Sequence, residues 1–145
     1  MYERFVKEIM SRDLISCAVE TSLIQVMQRM TEYAIHALVV LDEDGYAVGI
    51  VTQLDVLVAQ RRTVLPGMGP ITAGEIMSPI VLVCNPDMTL LEAATLMTRN
   101  HISRLIVAKP NCERIYPLGL VSMTDLIRHA IKETSAPPSL RLQRV

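Results

Sequence analysis

Two aspartates hold the spacing that could carry chemistry in this chain. Asp55 stands three residues after Thr52 and Asp125 three after Ser122, each at the end of an apolar run, Gly49-Ile50-Val51 and Gly119-Leu120-Val121. An ionised carboxylate accepts hydrogen bonds from two hydroxyl donors at once, and a helix start favours anionic groups, so each position suits a ligand bringing both. The same spacing is that of a capping box, in which the carboxylate only closes the helix it sits on. Aspartate is a shorter reciprocal cap than Gln25 or Glu92, which stand at the chain's other two helix starts. Arg104 and His36 are the basic candidates: a guanidinium grips a phosphate by two parallel bonds, whereas an imidazole is only partly charged at neutral pH. Each also has a plain structural reading, a surface arginine opening a strand and a histidine that packs.

The elements that must position these residues occur twice. Glu8-Ile9-Met10-Ser11 recurs as Glu75-Ile76-Met77-Ser78, and the copies align without a gap from Glu8 to Val40 at an offset of 67 residues, Met10 to Met77. Beyond that the offset is 70, Asp55 to Asp125, which puts three extra residues between Lys109 and Pro117. Each copy reads as strand, helix, strand, strand, helix. Ile15 to Ala18 is a short apolar strand, and Leu23, Val26, Met27 and Met30 form one buried helical stripe. Ser22 with Gln25 and Thr89 with Glu92 are capping boxes. Ala37 to Leu41 and Tyr46 to Val51 make a hairpin across an Asp-Gly turn, after which Thr52 or Ser122 opens the last helix. Pro66-Gly67-Met68-Gly69-Pro70 marks a linker over 63–72, and Ala136-Pro137-Pro138 begins a tail over 133–145. The domains are therefore 6–62 and 73–132.

A chain of 145 residues with 50% hydrophobic composition has apolar surface enough for a buried core. Its net charge of -1 offers no field for a nucleic acid backbone or an anionic membrane. No apolar run approaches the roughly 20 residues that span a bilayer, and Tyr2-Glu3-Arg4 does not lead into a signal peptide. Three cysteines, an odd number without a CxxC pair, fit a reducing cytoplasm, with Cys17 and Cys84 as small buried residues on equivalent strands.

This doubled unit, opened each time by Ile-Met-Ser and closed by Gly-x-Val-Thr/Ser-x-x-Asp, resembles a tandem cystathionine-β-synthase (CBS) domain pair, or Bateman module, over residues 6 to about 132. The resemblance implies an α+β fold of two β-α-β-β-α units packed through their sheets about a pseudo-two-fold axis, with two clefts that commonly bind adenosine-containing ligands. It implies that Asp125 and Asp55 accept from a ribose diol beside Ser122 and Thr52, and that a basic residue at the start of the second strand, Arg104 after Ser103 or His36 before Ala37, reaches phosphate. It further implies that the first strands hold adenine, through Asp13 and Ile15 in one cleft and Ile80 and Leu82 in the other.

Arg104 is the one guanidinium in place for phosphate, and Asp13 adds negative charge at the adenine end. That favours AMP, ADP or an uncharged or cationic adenosyl ligand such as S-adenosylmethionine over ATP. No Ser-His-Asp or Cys-His arrangement and no Walker-type loop occurs, so catalysis by this chain is not expected, and the resemblance implies a regulatory module. The expected partners are the adenosyl ligand, a second copy of the chain and an effector protein. The competing readings are a ligand-free dimerisation scaffold and a redox-responsive or metal-responsive module using Cys17, Cys84 or Cys112.

Overall fold

A computed structural model describes residues 4–64, 69–80, 82–110 and 112–133. The centre of the linker and all but the first residue of the expected tail lie outside the described residues. In chain order the elements are α1 (Val6–Ile9), β1 (Ser16–Ala18), α2 (Leu23–Glu32), β2 (Ala37–Leu41), β3 (Ala47–Thr52), α3 (Gln53–Gln60), a 3-10 turn (Arg61–Val64), α4 (Ala73–Ile76), β4 (Ser78–Pro79), β5 (Val83–Cys84), α5 (Leu90–Asn100), β6 (Arg104–Val107), β7 (Gly119–Ser122) and α6 (Met123–Glu133). The chain divides into two compact units, one from 13–82 with 111–117, the other from 1–12, 83–110 and 118–145.

The first unit is built on a four-stranded sheet in the order β1-β2-β3-β4, with β1 parallel to β2 and the other pairs antiparallel. A parallel pair needs a crossover, and α2 supplies it. Ser22 starts that helix with the full reciprocal box, its Oγ accepting from Gln25 N and its own N–H donating to Gln25 Oε1. Leu23, Val26 and Met30 from α2 meet Leu38, Val40 and Val51 from the sheet in one core that also takes Cys17, Val56, Ala59 and Ile71. The hairpin turns at Gly45, whose φ of 86° is one that glycine adopts without strain, and Asp42 Oδ1 accepts from the N–H groups of Asp44 and Tyr46.

The second unit carries a three-stranded sheet, β5-β6-β7, with β5 parallel to β6 and β7 antiparallel. Leu90, Ala93 and Met97 of α5 are fully buried, as are Ile106, Val107 and Val121 of the sheet. The expected box at the start of α5 is half made: Thr89 Oγ1 accepts from Glu92 N, but among the described residues the Glu92 carboxylate makes no return bond. After each crossover helix the chain passes through the left-handed region, at Ala34 (φ 51°) just beyond the cap of α2 and at His101 (φ 54°), the cap of α5, which are equivalent positions.

The opening elements exchange places relative to the sequence copies. α1 and Ser11 belong to the second unit, where Ser11 and Leu120 each donate to the other's carbonyl at 2.9 Å. α4 and β4 belong to the first unit, where Gly49 faces Pro79 and Ile50 faces Ser78. The three-residue insertion in copy two is also displaced. Ala47 N donates to Ile115 O at 2.7 Å, and the Arg114 guanidinium lies 4.8 Å from the Tyr46 ring centroid, so this stretch is anchored in the first unit and does not form a simple loop.

Candidate functional site

Each Gly-x-Val-Thr/Ser-x-x-Asp motif builds the same small shelf where a strand runs into a helix. In the first unit β3 ends at Thr52, which is also the extended N-cap of α3. Thr52 N and Thr52 Oγ1 both donate to Asp55 Oδ2, at 2.8 and 3.0 Å, and Asp55 N donates back to Thr52 Oγ1 at 3.3 Å. In the second unit Ser122 N and Oγ both donate to Asp125 Oδ2 at 2.9 Å, and Asp125 N returns a bond to Ser122 Oγ at 3.2 Å. A short carboxylate therefore closes the box after all, because the cap hydroxyl donates to it as well as the backbone.

Capping occupies only one oxygen of each carboxylate. Asp55 Oδ1 has no hydrogen-bond partner among the described residues, and Asp125 Oδ1 has one charged neighbour, Arg128 NH1 at 3.7 Å. An ionised carboxylate offers about four lone-pair sites. The structural and ligand-binding readings of these aspartates are thus not exclusive: Oδ2 fixes the helix start, and Oδ1 remains directed elsewhere on a half-buried side chain.

Sheet register shows which residues stand opposite the two cap residues. Arg104 pairs with Ser122 across β6 and β7, and Ala37 pairs with Thr52 across β2 and β3. Ser103 O accepts from Met123 N just as His36 O accepts from Gln53 N, so His36 is the counterpart of Ser103 and Ala37 that of Arg104. The Arg104 guanidinium donates to Ser103 Oγ at 3.1 Å, and no carboxylate pairs with it among the described residues. His36 and Ser103 are exposed, Ala37 half-buried.

The first-strand candidates all lie in the first unit. Asp13 is exposed ahead of β1, and Ile15, half-buried, lends its carbonyl to Val39 N. Ile15 lines a recess of about 470 Å³ with Ser16, Cys17, Arg29, Tyr33 and Asp42, in which Arg29 NH1 donates to Ser16 O at 2.7 Å. Ile80 follows β4, and the antiparallel register carries it toward Val48, away from Thr52. Leu82 is half-buried just before β5.

Two residues escaped the sequence reading. Arg128 stands one turn beyond Asp125, at the position where Val58 follows Asp55, a difference that the 70-residue offset could have exposed. Arg29 covers the outer carbonyl of edge strand β1, which only tertiary geometry reveals.

The cysteines split as their burial dictates. Cys17 and Cys84 are 4% and 0% exposed, and desolvation pushes both thiols up, Cys84 to about 11 with help from the Glu92 charge. Cys112 is exposed. No cluster of three or more His, Cys, Asp or Glu side chains is placed to hold a metal ion among the described residues. No helix among them is long and apolar enough to cross a membrane.

Comparison with known proteins agrees with this duplicated geometry. The CBS domain family model matches residues 6–62 and 73–132. An uncharacterised protein of Methanopyrus kandleri, MK0525, is 30% identical over 125 residues, 85% of this chain, and the chain spans only 61% of that relative's length. The crystal structure of the CBS domain pair of protein MJ0100 in complex with 5′-methylthioadenosine and S-adenosyl-L-methionine superposes with a TM-score of 0.77 at 24% identity, covering 90% of this chain and 98% of that one. CBSX2 in complex with AMP gives 0.72 at 23% identity, over 88% and 96% of the two chains.

Proposed function

Because the chain belongs to the CBS domain family and carries its unit twice, we propose that it is a regulatory module that binds an adenosyl nucleotide at its Thr/Ser-x-x-Asp shelves and passes the change to a partner or to its own dimer. The observation that carries this reading is the divided use of Asp55 and Asp125. In both, Oδ2 is consumed by the cap and Oδ1 takes no part in it, open in Asp55 and 3.7 Å from Arg128 in Asp125, which leaves lone pairs for the donors that a ribose diol supplies. Two neighbours of the same fold were crystallised with such ligands, one with 5′-methylthioadenosine and S-adenosylmethionine and the other with AMP. The ligand identity follows the same chemistry: AMP, ADP or S-adenosylmethionine, with few cations at hand for a triphosphate.

No catalytic role is assigned, since the polar groups of each shelf are arranged to accept and donate hydrogen bonds and not to activate a nucleophile. A ligand switches something only by favouring one state over another, so the signal must leave through a surface that a partner reads. The helices provide one that recurs in both copies: Ile24 and Leu91 are equivalent and are 68% and 45% exposed, and Leu57 and Ile127 are equivalent and are 61% and 60% exposed. Beside Ile127 an apolar recess of about 260 Å³ opens between α5 and α6, lined by Ala94, Met97, Leu126 and Ala130. A repeated apolar helical face suits a homodimer, in which one patch meets its equivalent.

A thermal-shift screen against AMP, ADP, ATP, NAD and S-adenosylmethionine tests the reading. A ligand at 100 times its dissociation constant adds about 2.7 kcal/mol, a shift of several degrees. The midpoint should rise with at least one adenosyl ligand and stay put in the Asp55→Ala/Asp125→Ala double variant. No rise with any of them contradicts it.

A further inference from the structure

The two shelves share backbone geometry but not charge. On the second-unit shelf the residue facing Ser122 in register is Arg104, and the residue one turn beyond Asp125 is Arg128, 3.7 Å from its outer oxygen. On the first-unit shelf the same two positions are Ala37, facing Thr52, and Val58. Otherwise the cap hydrogen bonds match bond for bond. One shelf thus has a guanidinium beside its carboxylate and a second arginine opposite its cap residue, and the other has neither at the equivalent positions. At contact distance, charges of like sign repel by amounts that decide which ligand is accepted, and a guanidinium without a carboxylate partner is a ready phosphate ligand.

We infer that the shelves are specialised for opposite ligand charge: the Asp125 shelf takes an adenosyl ligand bearing a phosphate, and the Asp55 shelf takes one whose 5′ group is neutral or cationic. This rests on the adenosyl reading above. On the Asp125 shelf Arg104 meets the phosphate, while Arg128 offsets the carboxylate that would otherwise repel it. On the Asp55 shelf the same carboxylate stands uncompensated beside aliphatic side chains. A phosphate there meets the carboxylate's repulsion with no arginine at either equivalent position to offset it, whereas a sulfonium meets attraction and an uncharged 5′ substituent meets neither. The chain would then carry two adenosyl ligands of different charge at once, each shelf responding to the level of its own.

The test is calorimetric titration of the full 145-residue chain with adenosine, AMP and S-adenosylmethionine. Protein saturated with AMP should still take up S-adenosylmethionine with its affinity unchanged within twofold. Arg104→Ala should weaken AMP at least tenfold and adenosine less than twofold, with an unliganded melting midpoint like the parent's. Ala37→Arg should add a second AMP site, a gain that misfolding does not produce. Competition of AMP and S-adenosylmethionine for one site, or equal loss of AMP and adenosine in Arg104→Ala, overturns the division while leaving adenosyl binding in place. Absence of heat with all three ligands on the parent chain overturns the underlying reading, and the division with it.

Discussion

Met10 lies against Gly119: a Cβ on that glycine would stand 2.7 Å from the Met10 sulfur and 2.8 Å from the Ser11 carbonyl oxygen. Met77 covers Gly49 in the same way, and there all three nearest atoms belong to the Met77 side chain. The two motifs of the repeat, Ile-Met-Ser and Gly-x-Val-Thr/Ser-x-x-Asp, are therefore one packed object, with each methionine covering the strand that leads to a shelf. Glycine is required because the covering chain comes closer than any side chain allows.

Alanine at either glycine should destabilise the fold, in line with about 1–3 kcal/mol for overpacking a core, but the two sites should respond differently to relief. Met77→Ala removes the two closest atoms that clash with Gly49→Ala, the sulfur and Cγ, and leaves only the Cβ at 3.0 Å, so that pair should show a favourable coupling in a double-mutant cycle. Met10→Ala leaves the Ser11 carbonyl in place, so the coupling with Gly119→Ala should be smaller. Urea denaturation of the seven proteins of the two cycles, which share the parent, measures both.

Stability and ligand binding should separate at the helix starts. Ser22→Ala removes a cap oxygen from α2 alone and should cost about 1 kcal/mol without affecting any adenosyl ligand. Asp55→Ala and Asp125→Ala should each cost a similar amount through the lost Oδ2 bonds, and should also abolish the ligand response of their shelf. Melting midpoints with and without ligand distinguish the two effects.

The thiols should titrate as burial predicts. Cys84 has its pKa raised from 9.0 to about 11 in the folded chain. Its contribution to stability is fully present below pH 9 and is lost as the pH climbs toward 11, because only the unfolded thiol releases its proton in that window. The slope of unfolding free energy against pH in that range should be shallower in Cys84→Ala than in the parent. At pH 8, Ellman's reagent should modify Cys112 rapidly in the native protein, and Cys17 and Cys84 only on unfolding.

The helical face should hold copies of the chain together. Ile127 is 60% exposed, so Ile127→Glu should leave the melting midpoint of the unit nearly unchanged. In sedimentation velocity the parent should run as a dimer and the variant as a monomer. A parent that is monomeric at tens of micromolar contradicts the dimer.

Much of this architecture can be read from local sequence. β2 coincides with the expected Ala37 to Leu41 run because β-branched residues bounded by an Asp-Gly turn leave little alternative, and β3 differs from its expected span by one residue at each end. The exchange of α1 and α4 between the sheets is not legible, since four-residue helices carry no periodicity and β4 has only two residues. Thr89 with Glu92 has the box spacing but only half its bonds, because a solvated glutamate is not compelled to turn back. His36 and Arg104 are the basic residues of the matching segments Ile35-His36-Ala37 and Ser103-Arg104. The 67-residue offset already pairs Ala37 with Arg104 and His36 with Ser103, and the ladder agrees, so His36 stands one residue before the position that Arg104 holds.

The most direct measurement is titration of the purified chain with AMP and S-adenosylmethionine, followed by backbone amide NMR shifts at Thr52, Asp55, Ser122 and Asp125. The account predicts saturable shifts at these four residues, and their loss at each shelf when its aspartate becomes alanine. Binding that leaves all four amides unmoved, or no binding of either ligand at millimolar concentration, would contradict it.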